Sequence, residues 1–178
     1  MAKGSSRFGK YKERKVREAL RNPINVLKSL SEKSQEKSYK YQRLYRNLYN
    51  PEFYLLAYQN IYANKGSMTP GVDGMTIDGI SMARINRIIE SMRNQSYQPK
   101  PARREYIKKK TGNKKRPLGI SSADDKLVQE VVRMILESIY EGSFSVKSHG
   151  FRPNKSCHTA LIQIRKTFTG AKWFVEGD

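Results

Sequence analysis

Apolar positions recur along this chain in short helical stripes, separated by polar breaks rich in glycine and proline. Around residues 38–48, Tyr41, Leu44, Tyr45 and Leu48 fall at helical spacing. The stretch NPEFYLLAYQNIYANKG predicts a helix. Asn50 can cap it, Pro51 suits its first position, Phe53, Leu56, Ala57 and Ile61 form one apolar stripe, and Gly66 can end it. GSMTPGVDG reads as a loop. Ile85, Ile88, Ile89 and Met92 mark another amphipathic helix, closed by SYQPKP.

The period then changes. In ARREYIKKKTGNKKRPLGI, Tyr106 and Ile107 lie in an extended run, Thr111-Gly112-Asn113 is turn chemistry, and a second run returns through Leu118 and Ile120. This predicts a β-hairpin. Pro117 confines the return strand to an edge or makes it irregular. SSADDKLVQEVVRMILESIYEG predicts a helix capped by Ser122, with Gly142 able to terminate it and Leu127, Val131, Met134, Ile135 and Ile139 on its core face. A further helix begins at Ser156, with Leu161, Ile164 and Phe168 inward. Trp173 to Asp178, within AKWFVEGD, reads as a buried strand that delivers a carboxylate to a sheet edge. There is no internal repeat. Helices, one hairpin and one late strand give an α+β class.

Charge sharpens this picture. The 178 residues carry 35 Lys and Arg against 16 Asp and Glu, an excess that speaks to partners rather than to fold. It is concentrated: residues 1–50 hold 14 basic and 4 acidic residues, and residues 99–120 hold nine and one. The surface is therefore patterned, with residues 1–37 read as a basic arm containing one helix started by Asn22 and Pro23. Nucleic acid, an anionic membrane surface and an acidic protein are the natural partners of such a chain. The arm lacks the amphipathic Trp, Phe and Leu pattern for membrane insertion, so no membrane partner is expected. No apolar run approaches 18 residues, and the N-terminus has no apolar signal region. One cysteine, Cys157, gives no internal disulfide and implies a reducing compartment. One cysteine and two histidines cannot make a zinc finger.

Chemistry concentrates on the hairpin. Lys108, Lys109, Lys110, Lys114, Lys115 and Arg116 surround one turn. Alternate strand residues share a face, so Lys109 and Arg116 can converge from the two strands. A point charge beside a bidentate fork suits a triphosphate or an RNA backbone. The competing reading is a basic edge that prevents strand aggregation. Asp124-Asp125 suggests a metal pair, but it opens a helix, where acids are favoured by the dipole. Tyr39, Tyr41, Tyr45 and Tyr49 could stack on unpaired bases, although Tyr41 and Tyr45 also fit the packing stripe. His149, His158 and Cys157 read as structural.

Taken in order, RPLGI, DKLVQEVVRMILESIYE, SHGFRPNKSCHTAL and WFVEGD resemble the reverse transcriptases and maturases encoded by group II introns. AYQNIYANKGSMTPGVDG resembles the extra N-terminal block of that family, and the segments together are most similar to the maturases of bacterial group IIA introns of the lactococcal type. The resemblance covers roughly residues 40–178. It implies helix-rich fingers with a β-hairpin, followed by the first strand of a right-hand polymerase palm. The implied divisions are a basic arm at 1–37, a helical extension block at 38–98, fingers at 99–170 and the palm strand at 171–178.

The implied function is intron RNA binding that assists splicing, and RNA-templated DNA synthesis in the complete protein. The resemblance makes Asp178 the first catalytic aspartate and a Mg²⁺ ligand, and places Lys109, Arg116 and Arg152 at the incoming nucleotide. Lys108 and Lys110 are alternative registers for Lys109, and Arg152 could equally lock its own loop. RNA contacts are expected from Lys10, Lys12, Arg14, Lys15, Arg17, Lys40, Arg43, Arg46, Lys108, Lys110, Lys114 and Lys115. Implied partners are intron RNA, an RNA template with a DNA primer, and a deoxynucleoside triphosphate, in a bacterial cytoplasmic ribonucleoprotein. A dimer through an exposed palm edge is a further expectation. The second palm acid motif is missing, so these residues alone are expected not to polymerise. The alternative is a stand-alone, non-catalytic RNA-binding splicing factor or chaperone on the same fold.

Overall fold

The computed structural model describes residues 22–109, 114–173, 175 and 176. Five α-helices and one antiparallel hairpin make up these residues, an α+β arrangement. Helix α1 spans Pro23–Lys33, and a 3₁₀ turn covers Leu44–Tyr49. Helix α2 spans Pro51–Tyr62, a second 3₁₀ turn covers Ile77–Gly79, and α3 spans Met82–Arg93. Strands β1 (Arg103–Lys108) and β2 (Lys115–Ile120) form the hairpin. Helix α4 spans Ala123–Tyr140, a 3₁₀ turn covers Glu141–Ser143, and α5 spans Cys157–Thr167.

The helix starts follow from local chemistry. Asn22 accepts from the Ile24 amide ahead of Pro23, and Asn50 accepts from the Glu52 amide ahead of Pro51. Each satisfies an amide that the first turn leaves free, and each proline fills a position where no amide is missed. Ser81 and Ser122 cap α3 and α4. Ser156 and Thr159 close a reciprocal capping box on α5.

Helix α4 is the centre of the body, packed by α1, α2 and the first 3₁₀ turn. Leu127, Val131, Met134, Ile135 and Ile139 join Phe53, Tyr54 and Ala57 of α2 and the Ile85, Ile88, Ile89 and Met92 stripe of α3 in one buried core. Full burial of a side chain such as Phe53 or Leu127 contributes about 1.5–3 kcal/mol. Tyr54 was not in the expected stripe. It is fully buried because its hydroxyl donates to the Leu48 carbonyl at 2.9 Å, and burial pushes its phenol above the ordinary value. Helix α1 falls within the region read as an arm, yet Val26, Leu27 and Leu30 pack on the core.

Two expectations are corrected. Leu161, Ile164 and Phe168 do not point inward: they are 63%, 46% and 50% exposed. Trp173 and Val175 are not in a buried strand: each is 92% exposed, and neither Trp173, Val175 nor Glu176 carries strand structure. The physical reason is the same in both places. An apolar stripe needs a facing surface and a strand needs a ladder partner, and among the described residues neither is supplied.

Candidate nucleic-acid interface

The hairpin register is Arg103 opposite Ile120, Ile107 opposite Arg116, and Lys108 opposite Lys115. The ladder continues past β1, where the Lys109 amide donates to the Lys114 carbonyl at 3.0 Å. Side chains alternate across the sheet, so Lys109, Lys114 and Arg116 share one face with Ile107 and Leu118. Lys108 and Lys115 share the opposite face with Tyr106. Of the alternatives raised from sequence, Lys108 therefore lies across the sheet from Arg116. Pro117, opposite Tyr106, is tolerated because each strand of a two-stranded sheet is an edge.

Both faces are open. Tyr106, Ile107 and Leu118 are exposed, as are Lys108, Lys109, Lys114, Lys115 and Arg116. Among the described residues none of these five cations forms an ion pair, whereas Arg103 at the root of β1 pairs with Glu105. Five unneutralised cations around one turn suit a polyanion, to which Lys brings point charge and Arg a planar fork.

The hairpin grows from a network that sequence reasoning missed. Asp125 is buried and accepts from the Tyr97 hydroxyl, the Lys100 amide (3.1 Å) and the Ser122 hydroxyl (2.6 Å). Burial pushes the Tyr97 phenol up, and the Asp125 hydrogen bond adds to this. Asp124 accepts from Arg84 Nε at 2.6 Å, so both acids are spent on structural contacts. Asp73 sits 2.7 Å from Lys100 Nζ, and this bond holds its carboxyl below the ordinary value. Arg103 Nε donates to the Pro70 carbonyl at 3.1 Å, and Lys126 Nζ donates to the Gly66, Ser67 and Thr69 carbonyls. The only sequence signal was Ser122 as a cap three residues before an acid; the partners lie far away in the chain.

Gly71 shows how close the loop approaches. A Cβ there would stand 2.6 Å from Ser122 Cα, so backbone must move. Gly71→Ala is expected to cost about 1–3 kcal/mol, as overpacking does. Urea denaturation should show a lower midpoint at unchanged slope; a shift below about 0.5 kcal/mol would mean the loop yields freely.

The remaining site residues are dispersed. Lys40, Arg43 and Arg46 are exposed on or before the first 3₁₀ turn, a different element from the hairpin. Arg152 is committed internally: Nε and Nη2 donate to Glu141, and Nη1 donates to the Ser145 and Ser148 carbonyls. Its guanidinium also lies over the Phe144 ring. This is the loop-locking arrangement, and any contact to nucleotide would compete with it. Tyr41 and Tyr45 donate to the Leu30 and Met92 carbonyls, and Arg93 covers Tyr49, so these rings serve packing. His149 bonds Thr159 and Gln163. Lys10, Lys12, Arg14, Lys15, Arg17, Lys110 and Asp178 lie outside the described residues.

A helical body that holds out a basic hairpin, unneutralised among the described residues, is the class the fold and the site define. Comparison with known proteins makes it specific. The chain is 53% identical over 160 residues to the group II intron-encoded protein LtrA of Lactococcus lactis subsp. cremoris, covering 89% of this chain and 27% of that protein. It is 44% identical over 163 residues to a 91 kDa protein in the cob intron of Schizosaccharomyces pombe, covering 89% of this chain and 20% of that one. It is 56% identical over 54 residues to nuclear intron maturase 2 of Arabidopsis thaliana, covering 30% and 7%. No family model matches the chain. The chain belongs to the group II intron-encoded proteins, and spans about a quarter of the length of the Lactococcus relative.

Proposed function

We propose that the chain supplies the basic N-terminal and fingers part of a group II intron reverse transcriptase/maturase, and that it grips intron RNA to assist splicing. The observation that carries this is the exposed hairpin, whose five cations have no acid partner among the described residues. Similarity to intron-encoded proteins and to a maturase supports the choice of RNA over other polyanions. Lys109 and Arg116, which share a face, are the residues proposed to hold a nucleotide triphosphate, with the arm cations and Lys40, Arg43 and Arg46 extending the RNA contact.

For the whole protein we propose RNA-directed DNA synthesis on an RNA template and DNA primer, in a bacterial cytoplasmic ribonucleoprotein. The proposed division is arm 1–37, extension block 38–98, fingers 99–170 and palm strand 171–178. The described residues hold no group of three or more His, Cys, Asp or Glu suited to a metal. Mg²⁺ would belong to a palm site that includes Asp178, where it would activate the primer hydroxyl and stabilise the leaving pyrophosphate.

The test is binding to a group II intron RNA and to a scrambled RNA of equal length, titrated across salt. Preference for the intron at physiological salt is expected. Equal, steeply salt-sensitive binding to both would reduce the surface to a generic RNA grip.

A further inference from the structure

A two-stranded hairpin is marginal by itself, and this one buries little on either face. What orders it must act at its roots. The Lys100 amide lies three residues before β1, and Ser122 lies two residues after β2. Both donate to the same atom, Oδ2 of Asp125. The other oxygen of that carboxylate takes the Tyr97 hydroxyl, on the segment that leads into β1. Asp125 returns its own amide to Ser122 Oγ at 3.2 Å. One buried side chain on the first turn of α4 therefore holds both legs of the hairpin. Bonds to an ionised carboxylate are the stronger kind, and burial at 4% exposure shields them from water.

We propose that Asp125 is the positioning residue of the basic hairpin: it fixes the direction in which Lys109, Lys114 and Arg116 meet a polyanion. An untied hairpin would still carry every cation, but it would pay an ordering cost on binding that the tied one has already met. The tie stands on geometry alone; its consequence for binding rests on the hairpin being the RNA grip. A plain helix-dipole role for the acid would not require bonds to the Lys100 amide or to Tyr97.

Glu130 supplies the control. It is a buried acid on the same helix, but its partners are Asn60 and Arg133, away from the hairpin. Amide hydrogen exchange would be compared for the wild-type chain, Asp125→Ala, Asp125→Asn and Glu130→Ala. Expected is exchange in β1 and β2 that rises about tenfold more than in α2 and α4 for Asp125→Ala, is partly rescued by Asn, and shows no hairpin selectivity in Glu130→Ala. A uniform rise across hairpin and core, or equal opening by Glu130→Ala, would overturn the tie. If Asp125→Ala does not fold, Tyr97→Phe removes one of the bonds, and the same selectivity decides.

The second arm is binding of single-stranded oligouridylate of about 20 nucleotides across salt. Expected is an affinity about three- to tenfold weaker for Asp125→Ala, with partial rescue by Asn. Unchanged affinity despite a selectively opened hairpin would overturn the positioning role. If the wild-type chain shows no salt-dependent binding at all, the RNA reading fails while the exchange result still decides the tie.

Discussion

Arg84→Ala is expected to destabilise the helical body by about 3 kcal/mol or more, a large share of the roughly 5–15 kcal/mol that a domain commands. Arg84 is 6% exposed. Its Nε donates to Asp124 at 2.6 Å, and its Nη2 stands 4.0 Å from Asp73. Truncation leaves Asp124, one-fifth exposed, without the one cation that bonds it among the described residues. Asp73 keeps Lys100, so the loss belongs mainly to Asp124. Nη1 of Arg84 is buried without a hydrogen-bond partner among the described residues, a cost the native pair already carries. Replacing the pair together, as Arg84→Met with Asp124→Leu, removes both the orphaned acid and the unsatisfied donor. The double variant is expected to recover most of the loss, which a double-mutant cycle in urea would read. A single-variant cost below about 1 kcal/mol would show that water already compensates Asp124.

The same network marks where sequence reading stopped. The caps at Asn50 and Ser122, the prolines that follow Asn22 and Asn50, and the stripe Ile85–Ile88–Ile89–Met92 are local signals, and each formed the element it predicted. The hairpin was legible because its two runs change period on either side of turn residues, and the pairing of Ile107 with Arg116 put Lys109 and Arg116 on one face as alternation required. Asp125 was legible only as a helix-start acid. Its task comes from partners 25 and 28 residues back in the chain, and that of Arg84 from one 40 residues ahead. No window of helical or strand period spans such distances. Helix α1 was legible as a helix from Asn22 and Pro23 but not as part of the body: the basic charge before it masked Val26, Leu27 and Leu30. For α5 and Trp173 the error ran the other way. Their apolar positions predict burial that the described residues do not show, because a pattern states a need without providing the surface that meets it.

Neutralising the hairpin, by changing Lys108, Lys109, Lys114, Lys115 and Arg116 together to glutamine, is expected to have the largest effect on binding and almost none on stability. If each cation neutralises one phosphate, the log–log salt slope should flatten by about 4.5 at the duplex value, and by about 3.5 for single strands. The affinity lost between 50 and 200 mM salt would then shrink by roughly two to three orders of magnitude. Stability should move the other way or not at all. Lys108 stands directly opposite Lys115, and like charges across a strand pair repel. All five cations are exposed and unpaired among the described residues, so the fold gives up no ion pair when they are replaced. A basic edge kept only to block aggregation would require no particular register; a like-charged pair at the turn end of a hairpin is a strain that a bound polyanion relieves. Unfolding and RNA titration on the same variant separate the two readings. Weaker, salt-flattened binding at equal or higher stability assigns the hairpin to RNA. An unchanged slope would move the grip to other cations, and replacing Lys40, Arg43 and Arg46 would then be the measurement that locates it.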